Sequence, residues 1–218
     1  MSLSRTKQFL KVAQPLGAAA ALLALVAPRA TTQQGSVFLH LSVDGMFAGP
    51  NGEIDWFHDI QKDDEYDQYT HQQAQTGQAL LFGCKTYEMM KSYWPTEEAI
   101  KSDPRMAEAM NDSRKIVVSK SLPRVEEGPN WKNVELIRDV DRDEILKLKK
   151  AVDITILGSG SVVQQLANLG LIDEYQFMVI PIVLGAGRQL FKDVRGTKLN
   201  LVDSRGFKNG IVVVKYRP

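Results

Sequence analysis

A strand, a glycine turn, a helix and a second strand follow one another between Asp153 and Phe191. The stretch opens with a β-branched, apolar run at 154–157, and the small residues Gly158 to Ser161 come next. Apolar residues then recur at helical spacing as far as Gly170, and a second apolar run begins at Tyr175. This order brings backbone N–H groups and a helix N-terminus together, an arrangement in which proteins hold phosphate groups. The stretch therefore predicts a phosphate cradle.

Apolar runs elsewhere predict further strands, and amphipathic runs between them predict helices. The predicted strands are 37–43, 78–82, 114–118, 134–137, 175–184, 199–202 and 210–216, and the predicted helices include 63–75 and 141–151. Strands that alternate with helices indicate an α/β fold with a mainly parallel sheet. The Asn-Gly pair at 209–210 adds an antiparallel hairpin at the C-terminal edge. Residues 46–55 are rich in turn formers and are predicted to be a loop outside the core.

The remaining composition excludes several classes of function. The first 34 residues carry four basic residues and no acid, so the rest of the chain has a net charge of about −3. A slightly acidic body argues against nucleic acid as a partner. Cys84 is the single cysteine, which rules out an internal disulfide and a cysteine-based zinc site. The three histidines have no metal-ligand spacing, so no metal is predicted.

Residues 1–34 differ from the body and are predicted to be a separate N-terminal extension, with one domain at 35–218. Their apolar run of about 12 residues is too short to span a bilayer but suits the core of a signal peptide. An export signal, a non-native extension and a mitochondrial-type presequence all remain open. No stable membrane span is predicted, and the folded domain is expected in the cytoplasm.

Small, polar or basic residues follow three predicted strands. They are Gly83 to Thr86, Ser119 to Ser121 and Gly158 to Ser161. In an open α/β sheet, ligands bind beyond the carboxyl ends of the strands, so these three segments predict one nucleotide site. Lys85 or Lys120 would meet an added 2′-phosphate. The G-x-G-x-x-G pattern fails at Val163, which argues against a conventional Rossmann domain.

Taken in order, these motifs resemble the reductase domain of riboflavin biosynthesis, within the dihydrofolate reductase-like superfamily. The resemblance extends over about residues 36–217. It is carried by 42–48 after the first strand, by 83–88, by 118–120, by 157–161 and by 170–191. The ordered set is more specific than any one of its motifs.

The resemblance implies a three-layer α/β/α fold, NADPH as the hydride donor and a homodimer. Gly83, Lys85 and Thr86 would then contact the cofactor's phosphates, and Ser119 and Lys120 its 2′-phosphate. The pyrophosphate would lie on Gly158, Ser159, Gly160, Ser161 and Val162. The apolar run 175–184 also favours a dimer. The predicted function is NADPH-dependent reduction of a small pterin-like or pyrimidine-like heterocycle, and the alternative is a catalytically silent nucleotide-binding or dimerisation module.

Two residues depart from the family pattern. Cys84 stands where the family usually has arginine, and the neighbouring Lys85 is a point charge, not a bidentate fork. This weakens the expected preference for NADPH over NADH. The pair Gly158–Ser159 replaces the Gly-Gly of dihydrofolate reductases, which leaves open whether an unusual peptide geometry is kept there.

The catalytic and substrate-binding residues are less well defined by sequence. Asp44 is predicted to be a polar group near the reacting centre, and the alternative is a turn-forming aspartate before Gly45. Asp55 and Trp56 are predicted to lie on the substrate side. His40, which alternates within a strand, is interpreted as a packed or hydrogen-bonded histidine and not as a catalyst.

Overall fold

The computed structural model describes residues 34–57, 60–74 and 78–218. In chain order these form ten strands and six α-helices, with one turn of 3-10 helix at Asp55–Phe57. The elements are β1 (Gly35–Ser42), β2 (Met46–Ala48), α1 (Asp64–Ala74), β3 (Ala79–Gly83), α2 (Cys84–Tyr93), α3 (Glu97–Ser102), α4 (Pro104–Asp112), β4 (Lys115–Val118), β5 (Val134–Ile137), α5 (Arg142–Ala151), β6 (Ile154–Ile156), α6 (Gly160–Asn168), β7 (Glu174–Ile180), β8 (Arg188–Gln189), β9 (Asn200–Gly206) and β10 (Val212–Arg217).

Eight of the strands form one sheet in the order β5-β4-β3-β6-β1-β7-β10-β9. The six strands from β5 to β7 run parallel to one another. The last two, β10 and β9, are antiparallel and are joined by a turn in which the Gly210 N–H donates to the Phe207 carbonyl at 3.0 Å. The predicted mainly parallel sheet with an antiparallel C-terminal hairpin is confirmed.

Helices cover both faces of this sheet. On one face, residues of α5 and α6 such as Ile145 and Val163 pack against β1, β3 and β6 in the largest apolar cluster. The opposite face carries two smaller clusters, one with Tyr69 of α1 and one with Met110 of α4. Both lie on the same side because side chains alternate along a strand and paired residues share a face. This is the three-layer α/β/α architecture.

The predicted loop at 46–55 requires a correction. Its first residues form β2, which pairs with β8 in a separate two-stranded sheet, and Ala48 is 3% exposed. The prediction that the whole segment lies outside the core was therefore wrong. Such short strands were missed because two or three residues show no periodicity. We call the β2–β8 pair the flap.

Two further predictions concern the N-terminal extension and membrane-spanning helices. The assignment of residues 1–34 as an extension lies outside the described residues, apart from Gln34. In the described part of the chain, no helix is both long enough and apolar enough to cross a membrane.

Candidate active site

A large cleft lies where β3, β4 and β6 end, and residues of the flap also line it. Its volume is about 2120 Å³, more than twice the upper end of the usual range of about 300–1,000 Å³ for a single ligand pocket. The parallel strands end at the same edge of the sheet, so the residues that follow them are brought together. The cleft therefore has room for two ligands side by side.

The turns after β3 and β6 touch each other. The Gly83 N–H donates to the Gly158 carbonyl at 3.1 Å, and the hydroxyls of Thr86 and Ser159 are 3.3 Å apart. A Cβ atom at position 83 would lie 2.7 Å from the Ser159 Oγ, so a side chain there would force the Ser159 hydroxyl to move. These two predicted segments thus form one continuous surface of the cleft.

The N-termini of α2 and α6 lack side-chain caps, unlike the other helices in the described residues. The four others begin with a side chain that accepts a backbone N–H: Asp63, Thr96, Asp103 and Asp141. The residues at the N-cap positions of α2 and α6 are Gly83 and Ser159, and neither provides such a bond. Ser159 has a suitable hydroxyl but places it beside Thr86. Both helices begin in the cleft wall, and a helix start favours an anion.

Gly160 lies in contact with the flap. A Cβ atom at this buried position would be only 2.4 Å from the Phe47 Cζ, so the aromatic ring rests directly on the start of α6. The Gly158–Ser159 peptide bond, one bond before the Ser159–Gly160 link, is cis. Ser161 and Val162 continue the first turn of α6 and also line the cleft.

Ser119 and Lys120 follow β4 and line the same cleft. The Ser119 hydroxyl accepts the Leu122 N–H at 3.0 Å and so shapes the turn. The Lys120 Nζ lies 2.6 Å from a carboxylate oxygen of Asp139, a cleft residue that sequence reasoning missed. The hydrogen bond from Lys120 lowers the pKa of Asp139 below its ordinary value. Lys120 is therefore already paired with an anion.

Lys85 and Cys84 occupy the region where the family pattern has arginine. The side chain of Lys85 is 88% exposed, and its Nζ is 3.8 Å from Glu88. The Cys84 thiol donates to Glu88 at 3.4 Å, and burial raises the pKa of this thiol. Position 84 therefore presents a neutral group, and the nearest positive charge is the mobile point charge of Lys85.

Asp44 lies outside the set of described residues that line the cleft. Its carboxylate accepts hydrogen bonds from the Ser42 hydroxyl at 2.6 Å and from the backbone N–H groups of Leu184 and Gly185 at 3.2 and 2.8 Å. These bonds, that of Ser42 first, lower its pKa. Asp44 is thus a carboxylate that ties the end of β1 to the connection between β7 and β8, and a role in catalysis stays a prediction.

Asp55 and Trp56 are likewise not among the described residues lining the cleft. Asp55 is exposed, whereas Trp56 packs against the apolar cluster beneath α1 and meets Phe57 edge to face at 5.1 Å. Phe57, the next residue, does line the cleft. The substrate-binding role of Asp55 and Trp56 stays a prediction. Phe57 is the residue of this turn that could contact a ligand in the cleft.

His40 and Tyr66 form a pair at the other end of the cleft. The His40 Nε2 and the Tyr66 hydroxyl are 3.0 Å apart, and the imidazole stacks on Phe57 with ring centres 4.4 Å apart. The interpretation of His40 as a packed, hydrogen-bonded residue agrees with these contacts, but its place in the cleft wall was missed. One signal in the sequence could have indicated this place: His40 lies two residues before the end of β1, the strand that leads into the flap.

No group of three or more His, Cys, Asp or Glu side chains in the described ranges is arranged to hold a metal ion. The polar chemistry of the cleft instead comes from hydroxyls, amides and a few charged side chains.

Comparison with solved structures defines the fold class of the protein. A dihydrofolate reductase from Enterococcus faecalis, solved with NADP(H) and RAB-propyl, superposes with a TM-score of 0.58 at 15% identity, covering 85% of this chain and 96% of that one. The fold is therefore dihydrofolate reductase-like. A structure from Shewanella sp. PV-4, named for riboflavin biosynthesis, gives a TM-score of 0.68 at 23% identity, covering 85% of this chain and 98% of that one.

The family follows from the sequence. The chain belongs to the RibD C-terminal domain family, whose profile matches residues 35–213. It is also similar to the uncharacterised protein YyaP of Bacillus subtilis (strain 168), with 28% identity over 187 residues, 84% of this chain and 95% of YyaP. The uncharacterised YwjB of the same organism is 26% identical over 178 residues, 80% of this chain and 92% of YwjB. The resemblance to the riboflavin-pathway reductase domain is confirmed at the level of family and fold.

Proposed function

We propose that the protein is an NADPH-dependent reductase of a small heterocyclic compound. The observation that carries the proposal is the convergence of three strand ends, with the uncapped starts of α2 and α6, in one cleft. Membership of the RibD C-terminal domain family supports it, as does the fold shared with a dihydrofolate reductase solved with NADP(H).

The cradle suits a dinucleotide pyrophosphate. Gly83, Thr86 and the segment Gly158–Val162 would hold the phosphates, because they offer hydroxyls and two helix N-termini with no side-chain cap of their own. Ser119 and Lys120 would meet the adenosine 2′-phosphate. When bound, NADPH supplies a hydride. The chain's own residues orient the bound molecules and exclude water.

Choice between NADPH and NADH would depend on the Lys120–Asp139 pair. The carboxylate lies 2.6 Å from the ammonium that would bind the 2′-phosphate, so it both neutralises this cation and repels the phosphate. With the neutral Cys84 nearby, this pair predicts a weaker preference for NADPH than an unpaired lysine would give.

Fluorescence titration with NADPH and NADH tests the proposed cofactor. We expect Lys120→Met to weaken NADPH binding about tenfold, because a charge-assisted hydrogen bond contributes about 1.5–3 kcal/mol, and to leave NADH binding nearly unchanged. Asp139→Asn should act in the opposite direction and strengthen NADPH binding about threefold. If the wild-type protein binds neither nucleotide, the proposed function is wrong.

A catalytically silent module of the same fold is the alternative. Turnover separates the two, because a reductase oxidises NADPH in the presence of an acceptor, whereas a silent module only binds it. The absorbance of NADPH at about 340 nm, followed with a panel of pterins and pyrimidines, gives the answer. Tight binding without oxidation across the panel would favour the silent module.

We also propose that the protein is a homodimer, but with its interface at a different strand from the apolar run 175–184 that the sequence suggested. The apolar strand that suggested a dimer is β7, an inner strand whose Phe177 and Met178 are buried in the sheet. The edge strands of the described sheet are β5, whose residues are half-buried, and β9, where every residue is exposed, including Leu201 at 59% and Val202 at 48%. An exposed apolar edge strand favours pairing with a second chain.

Sedimentation velocity of the Val202→Lys variant tests this interface. A charge on the edge is expected to shift a dimeric wild type to monomer. Val183→Lys is the control, since Val183 is 68% exposed but lies outside β9. A wild type that is monomeric at micromolar concentration would contradict the proposal.

A further inference from the structure

The part of the cleft beyond the cofactor cradle has a different character. On the helix face that carries α1 and α4, Phe38 and His40 of β1 line it, and Tyr66 and Thr70 of α1 face the same space. Apolar clusters border it on both sides, one with Tyr69 and the other with residues of α2 and α4. We call this part the acceptor groove.

Methionines are concentrated along this cleft. Five of the six methionines in the described ranges line it, and the sixth, Met178, is buried in the core. The five are Met46 on the flap, Met89 and Met90 on α2, and Met106 and Met110 on α4. Thioether side chains are flexible and polarisable and make favourable contacts with aromatic rings. The four on α2 and α4, together with Phe57 and Trp94, give the cleft an apolar and aromatic surface suited to a flat ring.

The His40–Tyr66 pair supplies hydrogen bonding in this apolar surrounding. Its two groups are 3.0 Å apart, and the stacking of His40 on Phe57, with an interplanar angle of 12°, fixes the imidazole. Burial raises the pKa of Tyr66, so its hydroxyl keeps its proton at neutral pH; in the tautomer in which the His40 Nε2 donates to the tyrosine oxygen, that proton is free to be donated to a ligand. A ring nitrogen or carbonyl oxygen is a matching partner for such a pair.

The positive charges of the cleft lie elsewhere. Lys85, Lys120 and Arg138 follow the ends of β3, β4 and β5, while Arg188 and Lys192 belong to the flap and the segment after it. The carboxylate of Asp103 lines the cleft but is occupied, because it contacts His71 at 2.8 Å and caps α4. None of these five cations belongs to β1, α1 or α4, the elements that carry most of the acceptor groove.

We infer that the acceptor groove binds a flat, uncharged heteroaromatic ring that carries no phosphate, hydrogen-bonded by the His40–Tyr66 pair. This inference rests on the proposed function, since it identifies the second ligand of the same cleft.

Riboflavin and FMN form a matched pair of fluorescent ligands for the test, because they share one flat ring and differ by a phosphate. Each is titrated into the full chain, with and without saturating NADPH. We expect riboflavin to bind in both conditions and FMN to bind no more tightly. Binding of FMN at least tenfold tighter than riboflavin would overturn the inference, as would the absence of riboflavin binding or its displacement by NADPH.

The Tyr66→Phe variant tests the pair itself. Loss of one hydrogen bond is expected to weaken riboflavin binding about fivefold to tenfold, with the affinity for NADPH unchanged. Lys120→Met should instead weaken NADPH binding and leave riboflavin binding unchanged, which separates the two ends of the cleft. Unchanged riboflavin affinity in Tyr66→Phe would exclude the pair as the recognition group. If riboflavin fails to bind while NADPH still does, this inference fails alone; if neither binds, the proposed function fails as well.

Discussion

Replacing Gly160 by valine is expected to weaken NADPH binding by about a hundredfold or more, which corresponds to about 2.7 kcal/mol. Gly160 is in the first turn of α6, which forms part of the proposed pyrophosphate cradle, and the Phe47 ring already occupies the space that a side chain there would enter. Valine must therefore push the ring or the start of α6 out of place, which distorts the cradle. Gly196→Val is the control, because Gly196 is exposed and has no atom within 4 Å of an added Cβ. Affinity is measured by fluorescence titration and folding by circular dichroism.

Because Gly160 contacts Phe47, a second set of variants is needed to separate the effect of this clash from the loss of the phosphate cradle. An added Cβ at 160 would lie 2.4 Å from the Phe47 ring, so even Gly160→Ala must displace that ring. We therefore expect the double variant Gly160→Ala/Phe47→Leu to relieve this clash but to bind NADPH weakly, while Phe47→Leu alone binds it well. Full recovery of NADPH affinity in the double variant would mean that Gly160 serves only the flap, and the cradle assignment would then be wrong.

Replacing Lys115 by methionine is expected to lower the free energy of unfolding by about 3–5 kcal/mol. The Lys115 ammonium is completely buried and donates to three backbone carbonyls, those of Asn111, Ser113 and Lys132, at 2.7, 2.7 and 2.8 Å. Each carbonyl left without a donor costs about 1–3 kcal/mol, although the Asn111 carbonyl keeps the Lys132 N–H at 3.3 Å. The variant also loses the contact of the ammonium with the Trp131 ring, 4.4 Å from the ring centre. Such a loss is a large part of the 5–15 kcal/mol typical of a folded domain.

Urea denaturation at neutral pH measures this effect, with Lys101→Met as the control. Lys101 has a side chain 78% exposed and forms only an i,i+4 ion pair with Glu97, so its loss should change stability by less than about 0.5 kcal/mol. A Lys115→Met variant as stable as the wild type would show that the three carbonyls find other donors.

The pH dependence of stability adds an independent signature of Lys115. Burial lowers its pKa to about 8 from 10.5, while nearby Asp112 and Glu127 oppose the shift, as do the three carbonyl acceptors. Between about pH 8 and pH 10.5, the unfolded chain therefore binds the Lys115 proton more tightly than the folded chain does. The free energy of unfolding of the wild type should therefore rise between about pH 8 and pH 10.5, relative to that of Lys115→Met.

Much of the fold could be predicted from the sequence because its inner strands are apolar runs. The strand predicted at 134–137 is β5, and those at 78–82 and 114–118 differ from β3 and β4 by one residue. β9 was predicted too short, since its second half, Asp203 to Gly206, is polar and exposed as befits an edge. The flap was missed for the opposite reason, as its strands are too short to show a pattern.

The site could be predicted only in part. The three segments after β3, β4 and β6 were found because small and polar residues at strand ends have a known meaning in α/β sheets. Asp139 and Tyr66 were missed because their importance comes from a neighbour distant in sequence, Lys120 in one case and His40 in the other. Pairings of this kind depend on how helices dock on the sheet, which local patterns do not encode.

The two helices without side-chain caps have a consequence for the protein's behaviour at different ligand concentrations. If an anion completes the starts of α2 and α6, part of the folded state's hydrogen bonding is supplied by a solute, not by the chain. By mass action, a ligand present at a hundred times its Kd then adds about 2.7 kcal/mol to the free energy of unfolding. If that anion is the proposed nicotinamide nucleotide, the free energy of unfolding would rise with the logarithm of the nucleotide concentration once it exceeds the Kd.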